Sequence, residues 1–238
     1  MISEATFSRD FASFWRQTTP AMDGFVRRLN KGEYDRDDPP IDTETAPTRR
    51  AFVNESAFSA LCLLVENART EESMSPEDAL LRVAPAVASQ GLYEFSEGDY
   101  DPNLSDTEIW DGVEQIRRIQ RRVCGPSDLG NVVVRPKFTG CGIVDECYGD
   151  ILVHGTLFEI KAGERFFRSI DFRQVLTYVA LDYSSGSRKI NDIAVVNPRI
   201  GISVELSVKN LCFAVSGRET VDLLDLIIYG MSSGDVSR

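Results

Sequence analysis

Large apolar side chains recur three and four positions apart through the first third of the chain. Phe7, Phe11, Phe14 and Trp15 share one helical stripe, Met22, Phe25, Val26 and Leu29 a second, and Phe58, Leu61, Cys62 and Val65 a third. Between the second and third stripes, Gly32 to Arg50 holds three prolines and six carboxylates with little apolar content, which predicts an exposed loop or a disordered excursion. Ser75 before Pro76, with Asp78 following, opens another helix, and Pro85 should kink it. A second loop spans roughly residues 96–103. Ser105-Asp106-Thr107-Glu108 then forms a capping box and starts a helix running to about Val123, where Gly125-Pro126 stops it.

From Asn131 the apolar period falls to two. Val132 to Phe138, Gly149 to Val153, Thr156 to Lys161, Ile193 to Asn197 and Ile202 to Ser207 are short runs rich in β-branched and aromatic residues. In the last, Ile202, Val204 and Leu206 alternate with Ser203, Glu205 and Ser207. A helix from about Ser169 to Asp182, with Val175, Leu176, Val179 and Ala180 on its apolar face, interrupts the strands, and another begins near Glu219. From residue 105 the order is helix, three strands, helix, two strands, helix. The expected class is α/β, with an N-terminal helical region at 1–95 and an α/β core at 105–238.

Composition narrows the chemistry. With 238 residues, 42% of them hydrophobic, the chain can bury a substantial core. There is no apolar run of membrane-spanning length, and the N-terminus has neither the basic nor the apolar segment of a secretion signal, so a cytoplasmic location is expected. Cys62, Cys124, Cys141, Cys147 and Cys212 are odd in number and contain no Cys-x-x-Cys pair, which points to isolated thiols. His154 is the single histidine, which removes most imidazole-dependent hydrolysis and His-rich zinc sites. Catalysis must rest on carboxylates, Lys or Tyr.

The net charge of −11 would ordinarily count against a nucleic-acid partner, but it is unevenly spread. Residues 1–108 carry 21 Asp and Glu against 10 Lys and Arg, and residues 109–238 carry 16 of each. The second half also clusters its cations: Arg117, Arg118, Arg121 and Arg122 on one predicted helix, and Arg165, Arg168 and Arg173 after a strand. That arrangement permits phosphate contacts.

The stretch from Gly149 to Lys161 carries the most chemistry. If His154-Gly155 makes a two-residue hairpin turn, Val153 faces Thr156 and Asp150 lies opposite Glu159, with Lys161 on the same face by the period of two. Opposed carboxylates destabilise a plain hairpin, and a divalent cation would compensate them. Asp150, Glu159 and a main-chain carbonyl, that of Ile160, suit Mg²⁺ or Mn²⁺, and Lys161 would orient or help deprotonate a bound water. The competing reading of the same spacing is a solvated hairpin rim with Lys161 as a salt-bridge partner.

These residues resemble the PD-(D/E)xK phosphodiesterase superfamily, and in particular its RecB-like nucleases. The resemblance rests on Gly149-Asp150 opening one strand, Glu159-Ile160-Lys161 in the next, and Gln174-Val-Leu-Thr-Tyr178 on the following helix, which is similar to a Gln-x-x-x-Tyr motif. It covers about residues 105–207. It implies a PD-(D/E)xK-type core (helix, three strands, helix, strands) and catalytic roles for Asp150, Glu159, Lys161, Gln174 and Tyr178. Gln174 would orient Lys161 or a water, and Tyr178 would contact a phosphate. Alternatively, Gln174 caps its own helix together with Asp171, and Tyr178 is a buried core residue.

Glu114 is a possible further acidic ligand or part of a solvated face beside Arg117 and Arg118. Glu146 lies four residues from Asp150, about 13 Å at strand rise, and is peripheral. Only Cys212 follows the motif, so the four-cysteine iron–sulfur arrangement of some RecB-like members is not available, and there is no phosphate-binding glycine loop for ATP.

The resemblance implies a Mg²⁺- or Mn²⁺-dependent nuclease acting on DNA, within a larger defence or DNA-processing complex. The alternative is a catalytically silent interaction or scaffold protein that retains the fold. The acidic N-terminal half is expected to dock a protein partner or a second copy, or to restrain the nuclease.

Overall fold

The computed structural model describes residues 1–90, 101–123 and 129–233. The expected Gly125-Pro126 helix stop and Cys124 lie outside them. The mixed α/β class is as expected. A six-stranded sheet runs in the order β1 (Asp35–Arg36), β8 (Ile202–Ser207), β7 (Asp192–Asn197), β6 (Thr156–Ile160), β5 (Ile151–Val153), β2 (Val133–Val134). Among the pairings of this sheet in the described residues, β6–β7 alone is parallel, and helix α7 (Ser169–Ser184) connects those two strands. A smaller ribbon pairs β3 (Lys137–Phe138) with β4 (Cys147–Tyr148).

Helices cover both faces of the sheet. Alternate residues of β7 explain why: Ile193 and Val195 enter one core, Ala194 and Val196 the other, and the strand is apolar from Ile193 to Val196 because both faces are dry. The first core gathers α1 (Glu4–Asp10), α2 (Ala12–Thr18), α3 (Met22–Leu29), α7, α8 (Val208–Ser216) and α9 (Thr220–Ser233). The second gathers α4 (Arg50–Arg69), α5 (Pro76–Ser89) and α6 (Asp106–Val123).

The predicted apolar stripes are thus core stripes, and the N-terminal capping signals form. Ser75 accepts from the Asp78 amide at 3.1 Å, and the Ser105 amide donates to Glu108 at 2.9 Å. Helix α5 runs on through Pro85. Helix α8, with Ser207 as its N-cap, follows β8 directly, an element that the expected order does not include. Among the described residues no helix is long and apolar enough to cross a membrane.

One expectation changes and one is sharpened. The boundary near residues 95–105 does not separate two hydrophobic cores, since Phe7, Trp15 and Phe25 share one core with Leu157 and Phe172, while Leu61 and Leu80 share the other with Phe158. The N-terminal helices complete both layers of the sheet, and only a small cluster of Phe52, Ala84, Val87 and Ala88 lies between α4 and α5 themselves.

The acidic segment from Gly32 to Arg50 is the mostly exposed loop that its composition predicts, fastened to the fold as a strap. Asp35 and Arg36 extend the sheet beside β8, the buried Ile41 donates its amide to the Arg199 carbonyl at 2.8 Å, and Asp38 pairs with Arg121 at 2.8 Å. Gly201 makes the strap possible. Its φ is +67°, and a Cβ there would sit 2.0 Å from the Asp38 carbonyl oxygen.

Candidate active site

The hairpin forms in the expected register. His154 and Gly155 have φ of 50° and 84°, the left-handed pair that a type I′ turn needs. Val153 faces Thr156, Leu152 faces Leu157 and Ile151 faces Phe158, so the next rung sets Asp150 opposite Glu159. Phe158 belongs to the α4–α6 core and Leu157 to the α7 core, so Glu159 points towards α7. Asp150 Oδ2 accepts the Ile160 amide at 2.7 Å, pinning one carboxylate across the hairpin.

The other edge of the hairpin bends at the same place. Strands β2 and β3 form one run, broken at Arg135 and Pro136, and β4 and β5 another, broken at Gly149 and Asp150. The register of Val134 with Ile151 and of Lys137 with Tyr148 is common to both ladders. Across the break the Arg135 amide donates to the Asp150 carbonyl at 2.8 Å, and the Gly149 amide to the Pro136 carbonyl at 3.0 Å. Asp150 therefore lies opposite Glu159 on one side and Arg135 on the other. The predicted strand Val132 to Phe138 exists as two short pieces because proline has no amide for the ladder.

Lys161 connects the hairpin to α7. Its Nζ donates to Glu159 Oε1 at 2.5 Å and to Gln174 Oε1 at 2.9 Å, and Gln174 Nε2 donates to the Tyr178 hydroxyl at 2.9 Å. The spacing of four brings Gln174 and Tyr178 onto one helix face. Gln174 does not cap its helix. Asp171 does, accepting the Arg168 amide at 2.8 Å while its two oxygens hold the Arg165 guanidinium, each at 2.7 Å.

Tyr178 is both a core residue and a site neighbour. Its ring is buried and stacked on Phe138 at 5.3 Å, and its hydroxyl reaches the polar cluster from below. Glu4, on α1, stands 3.4 Å from both Gln174 Nε2 and the Tyr178 hydroxyl.

Burial governs the electrostatics. Glu159 is 3% exposed, and desolvation together with the Asp150 charge pushes its carboxyl up to about 8 despite Lys161. Desolvation also raises Asp150, against the pull of the Ile160 amide and Lys161. For Lys161 desolvation works to lower the pKa, but Glu159 and the neighbouring acids outweigh it and the ammonium is held more firmly than usual. Desolvation raises the Tyr178 phenol. Glu159 Oε2 is buried and has no hydrogen-bond partner among the described residues.

The donor set fits a hard cation: two carboxylates, one with a free oxygen, and the Ile160 carbonyl beside them. No group of three or more His, Cys, Asp or Glu side chains able to hold a metal occurs among the described residues.

Other candidates lie elsewhere. Glu114 accepts from Arg118 at 2.8 Å, an i,i+4 pair, and Glu146 pairs with Lys137 at 3.0 Å on the surface. The helix arginines are largely consumed within the fold: Arg118 donates to the Pro39 and Pro198 carbonyls, Arg121 to Asp38, and Arg122 to Glu205 and Ser203. Of the thiols, Cys147 and Cys212 are buried, and burial pushes them up to about 12 and about 11, which keeps both protonated.

Sequence reasoning missed a second buried polar cluster next to the site. Asn54 Nδ2 and Arg199 Nε donate to the Ala162 carbonyl at 2.9 and 3.2 Å, while Arg199 also bonds Asp111 at 3.0 Å and Asn54 Oδ1 at 2.7 Å. Gln115 closes the ring with bonds to Asp111 at 2.9 Å and to Asn54 at 3.1 Å. Asn197 fixes the rest of the loop, donating to the Gly163 and Arg165 carbonyls. Asp111 on a helix with apolar neighbours was the one signal that could have found this cluster. Glu4 gave none, since an acid in a first helical turn is ordinary.

Searches against protein-family models, curated proteins and solved structures found no match.

Proposed function

We propose that this chain is a metal-dependent nuclease of the PD-(D/E)xK kind, hydrolysing phosphodiester bonds of DNA with Mg²⁺ or Mn²⁺. One observation carries the proposal: a buried carboxylate, Glu159, has an unpartnered oxygen and a carboxyl raised to about 8, opposite Asp150 and beside Lys161. A fold maintained only for packing has no use for two desolvated acids on one rung.

Asp150, Glu159 and the Ile160 carbonyl would hold the ion. When bound, it would lower the pKa of a water and offset charge developing on phosphorus. The protein's own residues supply position and protons. Asp150 is fixed by the Ile160 amide. Lys161 is aimed by Gln174, which in turn is braced on Tyr178, so the ammonium is held for a water or a phosphate oxygen. Lys161 carries the proton at neutral pH, and its reach to both Glu159 and Gln174 lets it pass between an acid and an arriving ligand.

The competing reading is a silent scaffold, in which the 2.5 Å Lys161–Glu159 contact is only a structural ion pair. Plasmid and linear DNA incubated with Mg²⁺ or Mn²⁺ separate the two. Asp150→Ala and Glu159→Ala are expected to abolish cleavage, and Lys161→Ala to abolish turnover while divalent binding persists. Gln174→Ala should slow turnover by about 10- to 100-fold, as a positioning group does. Metal-independent or absent cleavage by the unaltered protein refutes the proposal.

A further inference from the structure

The bend opposite Asp150 has a feature that the cleavage chemistry does not use. Arg135 is a non-glycine residue with φ of 50°, an uncommon backbone state that costs free energy and clusters at functional positions. The twist brings its side chain to the surface, 53% exposed, where Glu55 is its ion-pair partner at 3.6 Å. Beyond Pro136, Lys137 and Tyr148 face each other across the β3–β4 ribbon, the lysine side chain 55% and the tyrosine 52% exposed.

We infer that the Arg135–Lys137–Tyr148 edge is a binding track for single-stranded DNA, with Arg135 on a phosphate next to the Asp150 rung and Tyr148 stacking on a base. The inference rests on the nuclease reading and adds the substrate class. Two exposed cations beside an exposed aromatic ring match the requirements of one flexible strand: charge along the backbone and a platform for a base. Duplex DNA asks for many phosphate contacts over a broad surface. On α6, Arg118 is spent on the Pro39 and Pro198 carbonyls, while Arg121 and Arg122 are each held at the surface by a carboxylate, Arg121 by both oxygens of Asp38. The ion pairs of Arg135 with Glu55 and of Lys137 with Glu146 are exposed and screened, so phosphates can displace them.

Fluorescence anisotropy of the full chain with labelled oligothymidine, and with a duplex of equal length, tests the inference without any turnover. The expected result is at least about tenfold tighter binding of oligothymidine, weakened about 5- to 100-fold by Tyr148→Ala and restored by Tyr148→Phe. Arg135→Gln should weaken binding and flatten the salt dependence by about 0.7 in logarithmic slope, the share of one phosphate contact on a single strand. Arg135→Gly, which suits the left-handed backbone, should do the same and so separates lost charge from lost fold.

Equal or tighter binding of the duplex, or oligothymidine affinity indifferent to Tyr148→Ala, overturns the inference. Strand binding that persists in a protein showing no metal-dependent cleavage refutes the nuclease reading and leaves the track standing.

Discussion

Two clusters of buried charge lie on either side of Ala162, and they are built on opposite rules. In the Asp111–Arg199 cluster the Asp111 side chain is fully buried and Arg199 is 2% exposed, yet both Asp111 oxygens are taken, by Arg199 and Gln115, and each Arg199 nitrogen has an acceptor. In the Asp150–Glu159–Lys161 cluster there are two acids for one ammonium, and Glu159 Oε2 has no partner. A closed network rigidifies, whereas an open one is costly unless something else completes it. Since Arg199 and Asn54 grip the carbonyl one residue after Lys161, the closed cluster positions the open one.

The largest effect is expected where the closed cluster is opened. Arg199→Met leaves Asp111 buried without its cation and should cost about 3–5 kcal/mol in urea unfolding. The double variant Arg199→Met, Asp111→Leu should regain a large part of that loss. A single substitution that costs less than about 1 kcal/mol would show that the two clusters do not differ in kind.

Next comes the open cluster, whose strain depends on pH. Because Glu159 is raised from 4.5 to about 8, its contribution to stability is complete below about pH 4.5 and is lost as pH rises through about 8. Asp150, raised by the same burial, acts with the same sign. The metal-free protein should therefore melt at progressively lower temperature from pH 6 to pH 9. Glu159→Gln, which has no charge to bury, should flatten that slope and be about 1 kcal/mol the more stable form at pH 9. A Tm that rises over this interval contradicts the assignment.

The smallest effect is expected at the contact between core and site. Tyr178→Phe keeps the ring on Phe138 but leaves Gln174 Nε2 with only the 3.4 Å contact to Glu4. Stability should fall by about 1 kcal/mol or less, and cleavage should slow less than in Lys161→Ala. Cleavage that is unchanged would assign Tyr178 to the core alone.

Local rules made much of this legible. The period-two run and the His154-Gly155 turn fix the hairpin register, so the Asp150–Glu159 rung and the side of Lys161 follow from spacing, and helical spacing pairs Gln174 with Tyr178. What spacing cannot carry is contact between distant segments. Glu4 reaches the site only because α1 packs on α7, and Arg199 meets Asp111 and Asn54 across separations of 88 and 145 residues. The fastening of the acidic strap escapes local rules for a similar reason. Its composition is that of a loop, but Gly201 and the cations of α6 give its carboxylates and amides partners that no local pattern reveals. The same packing buries Arg118 against the Pro39 and Pro198 carbonyls and gives Arg121 and Arg122 carboxylate partners, Asp38 and Glu205, that their clustering does not reveal.

The most direct test of whether the open cluster is open for a cation is a thermal-shift titration with Mg²⁺ at pH 6 and pH 8, on the unaltered protein and on Glu159→Gln. Protons and the ion compete for Glu159, whose carboxyl is raised to about 8. Mg²⁺ should therefore raise the Tm of the unaltered protein more at pH 8 than at pH 6, a tenfold change in affinity being about 1.4 kcal/mol of added stability, and should leave Glu159→Gln unmoved. A Tm indifferent to Mg²⁺ at both pH values, or one that rises equally in the variant, would contradict a metal site at Asp150 and Glu159.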